Sequence, residues 1–172
     1  MKYSSALYIG RFQPFHNGHY KALKWILEKS NRVILGIGSA QHSHTKENPF
    51  TVGERIEMIS NQLIHDKLID KVIIASIPDT NDQHNLWVSV VQHYCPSFEV
   101  VFSNDPLTRL LFLEKGIKVE SIPFFEREKY EATKIREMIS SGLGWEEYVP
   151  EKIAEYIKEK KLDERLKKIY SK

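Results

Sequence analysis

The chain has 172 residues, 41% hydrophobic and 11% aromatic, which is enough apolar material for one folded domain and excludes a disordered chain. Its 25 lysines and arginines against 23 aspartates and glutamates give a formal net charge of +2, so charge alone does not predict a nucleic-acid partner. A single cysteine, Cys95, excludes an intramolecular disulfide and, with no signal-peptide pattern or membrane-length apolar run, predicts a cytoplasmic protein without a membrane partner.

Apolar runs of strand length alternate along the chain with segments of helical periodicity. Strands are predicted at 6–9, 33–37, 72–75 and 98–102, with a short fifth strand within 117–122. Helices are predicted at about 18–29, 51–64, 86–93, 106–116, 133–140 and 150–160, followed by a short basic end. Thr51 with Glu54 three residues later forms a capping box, and Pro106 suits a first helical turn.

This order predicts an α/β fold, a doubly wound parallel sheet with a helical carboxyl terminus. We expect a single domain over residues 1–172, with the sheet core at about 3–125 and the carboxyl-terminal helices at about 132–170. In such sheets ligands bind beyond the carboxyl ends of the strands, where the topology reverses. The candidate positions therefore follow Ile9, Ile37, Ile77 and Phe102.

The segment after the first strand, residues 10–19, reads Gly-Arg-Phe-Gln-Pro-Phe-His-Asn-Gly-His. It has neither the Walker spacing nor the three-glycine dinucleotide spacing, yet it contains the groups that a phosphate site needs. Gly10 lets the backbone approach a ligand closely, and Arg11 is a permanent forked cation. His16 and His19, three residues apart at a helix start, share a face near the end where the helix dipole favours anions.

Residues 10–19 resemble the signature of the H-x-G-H nucleotidylyltransferase superfamily, and the form Gly-Arg-Phe-Gln-Pro-Phe-His-x-Gly-His is similar to that of its nicotinamide-nucleotide adenylyltransferases of the archaeal type. Further matching segments follow in family order, at 37–41, 43–44, 48–51, 53–55, 86–88 and 133–136. Within them, Trp87 and the segment 38–40 favour a nicotinamide substrate.

The resemblance implies a Rossmann-like nucleotidylyltransferase fold and transfer of the adenylyl group of ATP to nicotinamide mononucleotide (NMN), forming NAD and pyrophosphate. It implies Mg²⁺ carried by ATP, no protein metal ligand, and a homo-oligomer, either a trimer or a hexamer. The catalytic residues it implies are His16, His19, Arg11 and Arg136. The implied ATP-binding residues are Ile9, Gly10, Arg11, Phe12, His16, His19, Ser103, Asn104, Thr133 and Arg136. The implied NMN-binding residues are Gly38, Ser39, Asp79, Asn85 and Trp87.

Several alternatives stay open at this point. The chain could be another H-x-G-H nucleotidylyltransferase, of the pantetheine-phosphate, FMN or cytidyl type, or a non-catalytic sensor of NMN or NAD. The residue that binds the carboxamide could be Asn81, Asp82 or Asn85. For Gly36 to Ser39, a close turn at a strand end that touches a ligand fits better than half a dinucleotide fingerprint. A zinc site from His42, His44 and Cys95 is disfavoured because no Cys-x-x-Cys pair supports it.

Overall fold

The computed structural model describes residues 2–125 and 131–171. Contacts divide the chain into two compact units, which we name the sheet unit and the helical unit. The sheet unit comprises Met1–Gly10, Ala22–Ala40 and Asp70–Pro123. The helical unit comprises Arg11–Lys21, Gln41–Ile69 and Phe124–Lys172. The expectation that residues 1–172 form one domain stays a prediction.

The sheet unit contains five parallel strands, which confirms the predicted doubly wound sheet. The strands are β1 (Ala6–Gly10), β2 (Val33–Ile37), β3 (Val72–Ser76), β4 (Val100–Phe102) and β5 (Val119–Glu120). Their order in the sheet is β3-β2-β1-β4-β5. The chain therefore adds β2 and β3 on one side of β1 and then crosses to add β4 and β5 on the other. This reversal lies at β1 and β4, so the ligand crevice is expected beyond Gly10 and Phe102.

Strands β2 and β4 are buried along their whole length, as their continuous apolar runs predicted, whereas β1 and β3 are partly buried and β5 is half-exposed. Three helices belong wholly or partly to this unit, namely α1 (Asn17–Lys29), α3 (His84–Tyr94) and α4 (Pro106–Glu114). On one face Leu7 and Ile34 join a cluster with Val88 of α3 and Phe112 of α4. On α1, the Trp25 ring meets the Phe102 ring of β4 edge-on at 5.6 Å between centroids.

Gly36 is explained by packing within the sheet unit. A Cβ atom at this position would lie 2.7 Å from Ile77 Cδ1 and 3.2 Å from Ile9 Cγ1, both shorter than ordinary contacts. Gly36 is also the fourth residue of β2 and not part of the turn that follows. The close turn expected over 36–39 therefore begins only after Ile37, and the glycine is required by its two isoleucine neighbours.

The helical unit contains the remaining helices, α2 (Val52–His65), α5 (Ala132–Ser141), α6 (Glu151–Glu159) and α7 (Leu162–Tyr170). The predicted capping box of α2 is present. The Thr51 side chain accepts from the Glu54 backbone N–H at 3.1 Å, and the Glu54 carboxylate accepts from the Thr51 backbone N–H at 2.8 Å. Two of the helix's initial N–H donors are satisfied in this way.

Helix α7 differs from the short basic end expected from the sequence. Its Leu162 and Leu166, four residues apart, are 2% and 0% exposed, so the segment has an apolar face that four nearby lysines obscured in the sequence. None of the helices in residues 2–125 and 131–171 combines the length and apolarity that a membrane crossing requires.

Candidate active site

His16 and His19 cap the amino terminus of α1 reciprocally. The His16 ring nitrogen Nδ1 accepts from the backbone N–H groups of Gly18 and His19, at 3.1 and 3.3 Å. In return His19 Nδ1 accepts from the His16 backbone N–H at 3.2 Å. The arrangement is a capping box in which two imidazoles replace the usual hydroxyl and carboxylate. The sequence predicted the shared face of the two histidines but not this exchange of hydrogen bonds.

Aromatic contacts fix the orientation of both imidazole rings. The His16 and His19 rings stack with centroids 3.6 Å apart and 18° between their planes. The Phe12 ring meets the His19 ring edge-on at 4.9 Å, and the Phe15 ring stacks beside it at 5.7 Å. Phe12 and Phe15 are 1% and 0% exposed, so their side chains support His19 and do not face solvent.

Both histidines are held neutral. Burial lowers the pKa of His16 to about 4. Burial, and then the charge of the adjacent His16, lower the pKa of His19 well below its ordinary value. A neutral imidazole has one accepting and one donating nitrogen, and in both rings Nδ1 is the acceptor. The proton of each ring is therefore on Nε2, and each ring presents an N–H donor of fixed direction.

The loop at residues 10–16, which we name the Gly-Arg loop, is held at Arg11 and Gln13 by hydrogen bonds of buried polar side chains. Gln13 exchanges two hydrogen bonds of 3.0 Å with the Phe50 backbone. Arg55, which is fully buried, donates to the Arg11 carbonyl at 2.7 Å and to the Thr51 carbonyl at 3.2 Å. Gln13 and Arg55 lie inside the segments 10–19 and 53–55 that resemble the family, but the sequence predicted no role for either. Only the structure shows that the buried Arg55 guanidinium donates to backbone carbonyls.

Arg136 joins the same loop from α5. Its Nη1 donates to the Gln13 carbonyl at 3.0 Å, and its Nη2 lies 3.4 Å from the Thr133 hydroxyl, one turn earlier on the same face. The side chain is 5% exposed, and within the described residues its buried Nε has no hydrogen-bond partner. Burial lowers the pKa of Arg136, as does the charge of Arg11 nearby, while Tyr170 opposes the shift. A desolvated guanidinium with an unpaired donor is suited to an anionic ligand.

Arg11, Thr133 and the rest of α5's first turn complete this part of the site. Arg11 is exposed, and Thr133 is exposed at the second position of α5. The helix begins at Ala132, one residue before the predicted start, and no side chain caps it. The structure therefore brings together Arg11, Phe12, His16, His19, Thr133 and Arg136 within the helical unit.

In the sheet unit, three of the residues implied for NMN binding, Gly38, Ser39 and Asp79, lie at the ends of β2 and β3. The Gly38 N–H donates to the Gly10 carbonyl at 2.9 Å, which ties the turn after β2 to the end of β1. The Ser39 hydroxyl lies 2.9 and 3.1 Å from the two carboxylate oxygens of Asp79. Ser39 has a φ of 49°, so this contact holds a left-handed residue in place. Ile9 and Gly10 end β1 beside this turn.

Ser103 and Asn104 follow β4, at the other strand of the topological reversal. The Asn104 side chain donates to the Ile122 carbonyl at 2.7 Å and accepts from the Ile122 N–H at 2.9 Å. The Ser103 carbonyl accepts from Arg109 Nη1 at 2.8 Å. The Asn104 amide therefore fastens the loop after β4 to the segment after β5.

Asn85 and Trp87 lie in the first turn of α3. Asn85 is exposed, while Asn81 and Asp82 adopt left-handed backbone conformations in the preceding loop, with φ of 50° and 68°. The half-buried Trp87 ring meets Phe112 edge-on at 5.6 Å and 74°. Part of the indole is therefore packed on the core of the sheet unit and part is accessible.

The residues considered for zinc do not form a metal centre. No group of three or more histidine, cysteine, aspartate or glutamate side chains in residues 2–125 and 131–171 is arranged to hold a metal ion. Burial raises the pKa of the Cys95 thiol to about 11, which disfavours the thiolate that zinc binding requires.

The chain has a doubly wound parallel sheet whose order reverses at β1 and β4. The loop after β1 leads into a helix that begins with two neutral histidines. Together these features define a nucleotide-binding enzyme of the H-x-G-H nucleotidylyltransferase class. The family model described as cytidylyltransferase-like matches residues 7–141. The nicotinamide-nucleotide adenylyltransferase of Saccharolobus solfataricus is 47% identical over 167 residues, covering 96% of each chain. That of Thermoplasma volcanium is 47% identical over 154 residues, covering 90% of this chain and 85% of the relative.

Among solved structures, the bifunctional NMN adenylyltransferase/ADP ribose pyrophosphatase of Francisella tularensis superposes with a TM-score of 0.78 at 21% identity. The match covers 96% of this chain and 53% of that one, so the chain spans about half the length of the bifunctional protein. A second structure of that protein is complexed with AMP and a manganese ion. The chain belongs to the cytidylyltransferase-like family and, within it, to the nicotinamide-nucleotide adenylyltransferases.

The histidine pair makes the ligand-free protein sensitive to acid. In the unfolded chain each histidine binds a proton near pH 6.5, whereas folded His16 resists protonation until about pH 4. The stabilisation is complete above pH 6.5 and is lost as the pH falls toward 4, which for His16 alone amounts to on the order of 3 kcal/mol. We expect denaturant unfolding between pH 7 and 4 to show this loss.

The matched control is the double variant His16→Asn/His19→Gln, whose side chains do not titrate and suit the N-cap and third helical positions. Its free energy of unfolding should fall less steeply than that of the unaltered protein over the same pH range. Equal slopes would show that the two histidines are not the groups held neutral by folding.

Proposed function

We propose that the chain transfers the adenylyl group of ATP to NMN, forming NAD and releasing pyrophosphate. The observation that carries this proposal is the pair of Nε2–H donors at the start of α1, together with the buried Arg136 guanidinium that donates to the loop before them. Membership of the nicotinamide-nucleotide adenylyltransferases supports the choice of both substrates.

The reaction is an in-line displacement at the α-phosphorus of ATP. A phosphate oxygen of NMN forms the new P–O bond, and the bond to the pyrophosphate oxygen breaks. The attacking phosphate is already anionic, so the protein needs neither a nucleophile nor a strong general base. Its contribution is positioning and stabilisation of negative charge on the transferring group and the leaving pyrophosphate.

His16 and His19 stabilise that charge through their Nε2–H groups. The backbone N–H groups of Gly18 and His19, which a helix amino terminus usually offers to an anion, are already bound to His16 Nδ1. The positive end of the helix dipole therefore acts on the ligand through the ring, polarising its far N–H group. Arg11 and Arg136 bind triphosphate oxygens as forked cations. Mg²⁺ is carried by ATP and neutralises part of the phosphate charge, with no protein ligand.

The remaining residues are assigned to one substrate each. We assign Ile9, Gly10, Phe12, Ser103, Asn104 and Thr133 to ATP, and Gly38, Ser39, Asp79, Asn85 and Trp87 to NMN. Since Ser39 contacts both oxygens of Asp79, these two residues act as one polar group toward the sugar or the carboxamide. ATP and NMN are metabolites of the cytoplasm, and we place the reaction there.

The direct test is incubation of pure protein with ATP, Mg²⁺ and NMN, with NAD and pyrophosphate as the measured products. CTP in place of ATP, and pantetheine phosphate in place of NMN, serve as controls for the other H-x-G-H transferases. NAD formed only from ATP and NMN is the expected result. Binding of NMN without turnover would instead identify a sensor.

Removal of the Nε2–H donor should slow the reaction without unfolding the protein. In His19→Asn the short amide retains an acceptor for the His16 backbone N–H but does not reach the phosphates. We expect kcat to fall about a hundred- to a thousandfold, as for loss of one preorganised donor, with His16→Asn giving a smaller decrease. Steady-state kinetics and circular dichroism measure activity and fold together. Near-normal turnover in folded His19→Asn would contradict the assignment.

Trp87 is expected to stack on the nicotinamide ring of NMN. Trp87→Ala should raise KM for NMN about ten- to a hundredfold, because both the stacking interaction and buried area are lost, while KM for ATP changes little. Phe112→Leu is the matched control, since it removes the edge contact to the indole within the core. It should lower Tm and leave KM for NMN unchanged. If Trp87→Ala instead lowers Tm and impairs both substrates, the ring is a core residue only.

The protein is expected to form a homo-oligomer, a trimer or a hexamer. Helix α4 presents Leu107, Leu110 and Leu113 to solvent at 42%, 54% and 53% exposure, a row of apolar side chains that association would cover. Light scattering should give a mass three or six times 20.1 kDa, and Leu110→Glu/Leu113→Glu should give the single-chain mass. A 20.1 kDa particle for the unaltered protein at micromolar concentration would refute the proposal.

A further inference from the structure

Helix α7 is anchored in the helical unit by its apolar face, with Leu162 and Leu166 buried. It lies beyond residues 7–141, the part of the chain that the family model matches. Its polar face carries two side chains, Arg165 and Tyr170, that contact the residues around the proposed phosphate site. Neither Arg165 nor Tyr170 is among the residues assigned to ATP or NMN.

Arg165 holds the start of α2 and the loop before it. Its Nη1 and Nη2 donate to the two oxygens of Glu54 at 2.7 and 2.8 Å, a bidentate pair in which both side chains are largely buried. Nη1 also donates to the Pro49 carbonyl at 3.1 Å. Although burial raises it, hydrogen bonds from Arg165 and Thr51 hold the pKa of Glu54 below its ordinary value. Such a forked pair fixes position as well as charge.

The segment from Pro49 to Thr51 is bonded directly to the Gly-Arg loop. Phe50, between them, is the residue whose backbone exchanges two hydrogen bonds with the Gln13 side chain. The Gln13 carbonyl in turn accepts from Arg136 Nη1. A continuous chain of polar contacts thus leads from Arg165 to the guanidinium assigned to the triphosphate.

Tyr170, at the other end of α7, lies close enough to Arg136 to affect its charge. Helices α5 and α7 pack against each other. Burial lowers the pKa of Arg136, and the interaction with Tyr170 opposes that shift. The Lys46 ammonium lies 5.3 Å from the centre of the Tyr170 ring, a cation–π distance that keeps the Gln41–Phe50 segment against α7. Because Arg136 is buried and its Nε has no hydrogen-bond partner in the part of the chain that the structure describes, its few contacts decide where its fork points.

We propose that α7 is a working part of the ATP site, in which Arg165 and Tyr170 are positioning residues. Arg165 sets the place of residues 49–51 and hence of Gln13, and Tyr170 orients the Arg136 fork and holds Lys46. The proposal rests on the function assigned to Arg136 above. It predicts that α7 influences the use of ATP and leaves the use of NMN unaffected.

The sharpest variant is Tyr170→Phe, which removes one hydroxyl and keeps the ring over which Lys46 lies. We expect KM for ATP to rise about tenfold, because the Arg136 guanidinium loses its polar neighbour on α7, with KM for NMN and Tm unchanged. Tyr94→Phe makes the same chemical change at an exposed tyrosine of α3 and should leave all three quantities unaltered. A purely structural role would lower Tm or affect both substrates, and that result overturns the proposal.

A double-mutant cycle separates this inference from the proposed function. If Tyr170 acts through Arg136, then Tyr170→Phe should have no further effect in an Arg136→Ala background. Arg136→Ala that leaves KM for ATP and kcat unchanged would show that Arg136 does not bind the triphosphate. Impaired Arg136→Ala together with Tyr170→Phe that behaves as the unaltered protein would overturn only the role of α7.

Arg165→Lys tests the other contact. It keeps the positive charge but cannot make the bidentate pair, so KM for ATP should rise severalfold while KM for NMN stays constant. Lys167→Ala, at an exposed position of the same helix, is the control for changes to α7 in general. Arg165→Lys with unchanged KM for ATP would remove Arg165 from the proposal.

Discussion

The two imidazole rings at the start of α1 bind each other's backbone, and the chemistry of the site depends on this constraint. Each Nδ1 is occupied by backbone N–H groups, and burial keeps both rings neutral. One set of hydrogen bonds therefore satisfies the helix terminus and selects the tautomer, with the proton of each ring on Nε2. A phosphate-binding helix normally offers its own N–H groups to the anion. Here His16 accepts those N–H groups, and in the proposed reaction the Nε2–H groups of the two histidines take their place.

The loop that carries these histidines is held by buried polar groups and not by apolar packing alone. Arg55, Gln13 and Arg136 all bind loop or neighbouring backbone carbonyls, so the Arg55 and Arg136 guanidinium groups are held in place before any ligand arrives. Such preorganisation is what charge stabilisation in phosphoryl transfer requires, because no reorganisation is then needed during the reaction.

Much of the fold was predictable because local signals determine it. The apolar runs gave the strands, and Thr51 with Glu54 gave the start of α2. The motif at 10–19 identified the histidines and Arg11. Helix α7 was not predicted, since lysines outnumber the two leucines that anchor it. The structural roles of Gln13 and Arg55 were not predicted from the sequence either. Both side chains form hydrogen bonds with residues about forty positions away in the chain. Sequence pattern reports which side chains are present, whereas such pairings depend on tertiary structure.

The account is tested most directly by the protonation state of the two imidazoles. Nitrogen-15 NMR of the histidine side chains, assigned with the His16→Asn and His19→Asn variants, distinguishes the two neutral tautomers from the charged ring. At pH 7 the account predicts that both rings carry their proton on Nε2 and that addition of a non-hydrolysable ATP analogue shifts both Nε2 resonances. A proton on Nδ1 of either ring, or Nε2 resonances that the ATP analogue leaves unmoved, would contradict it.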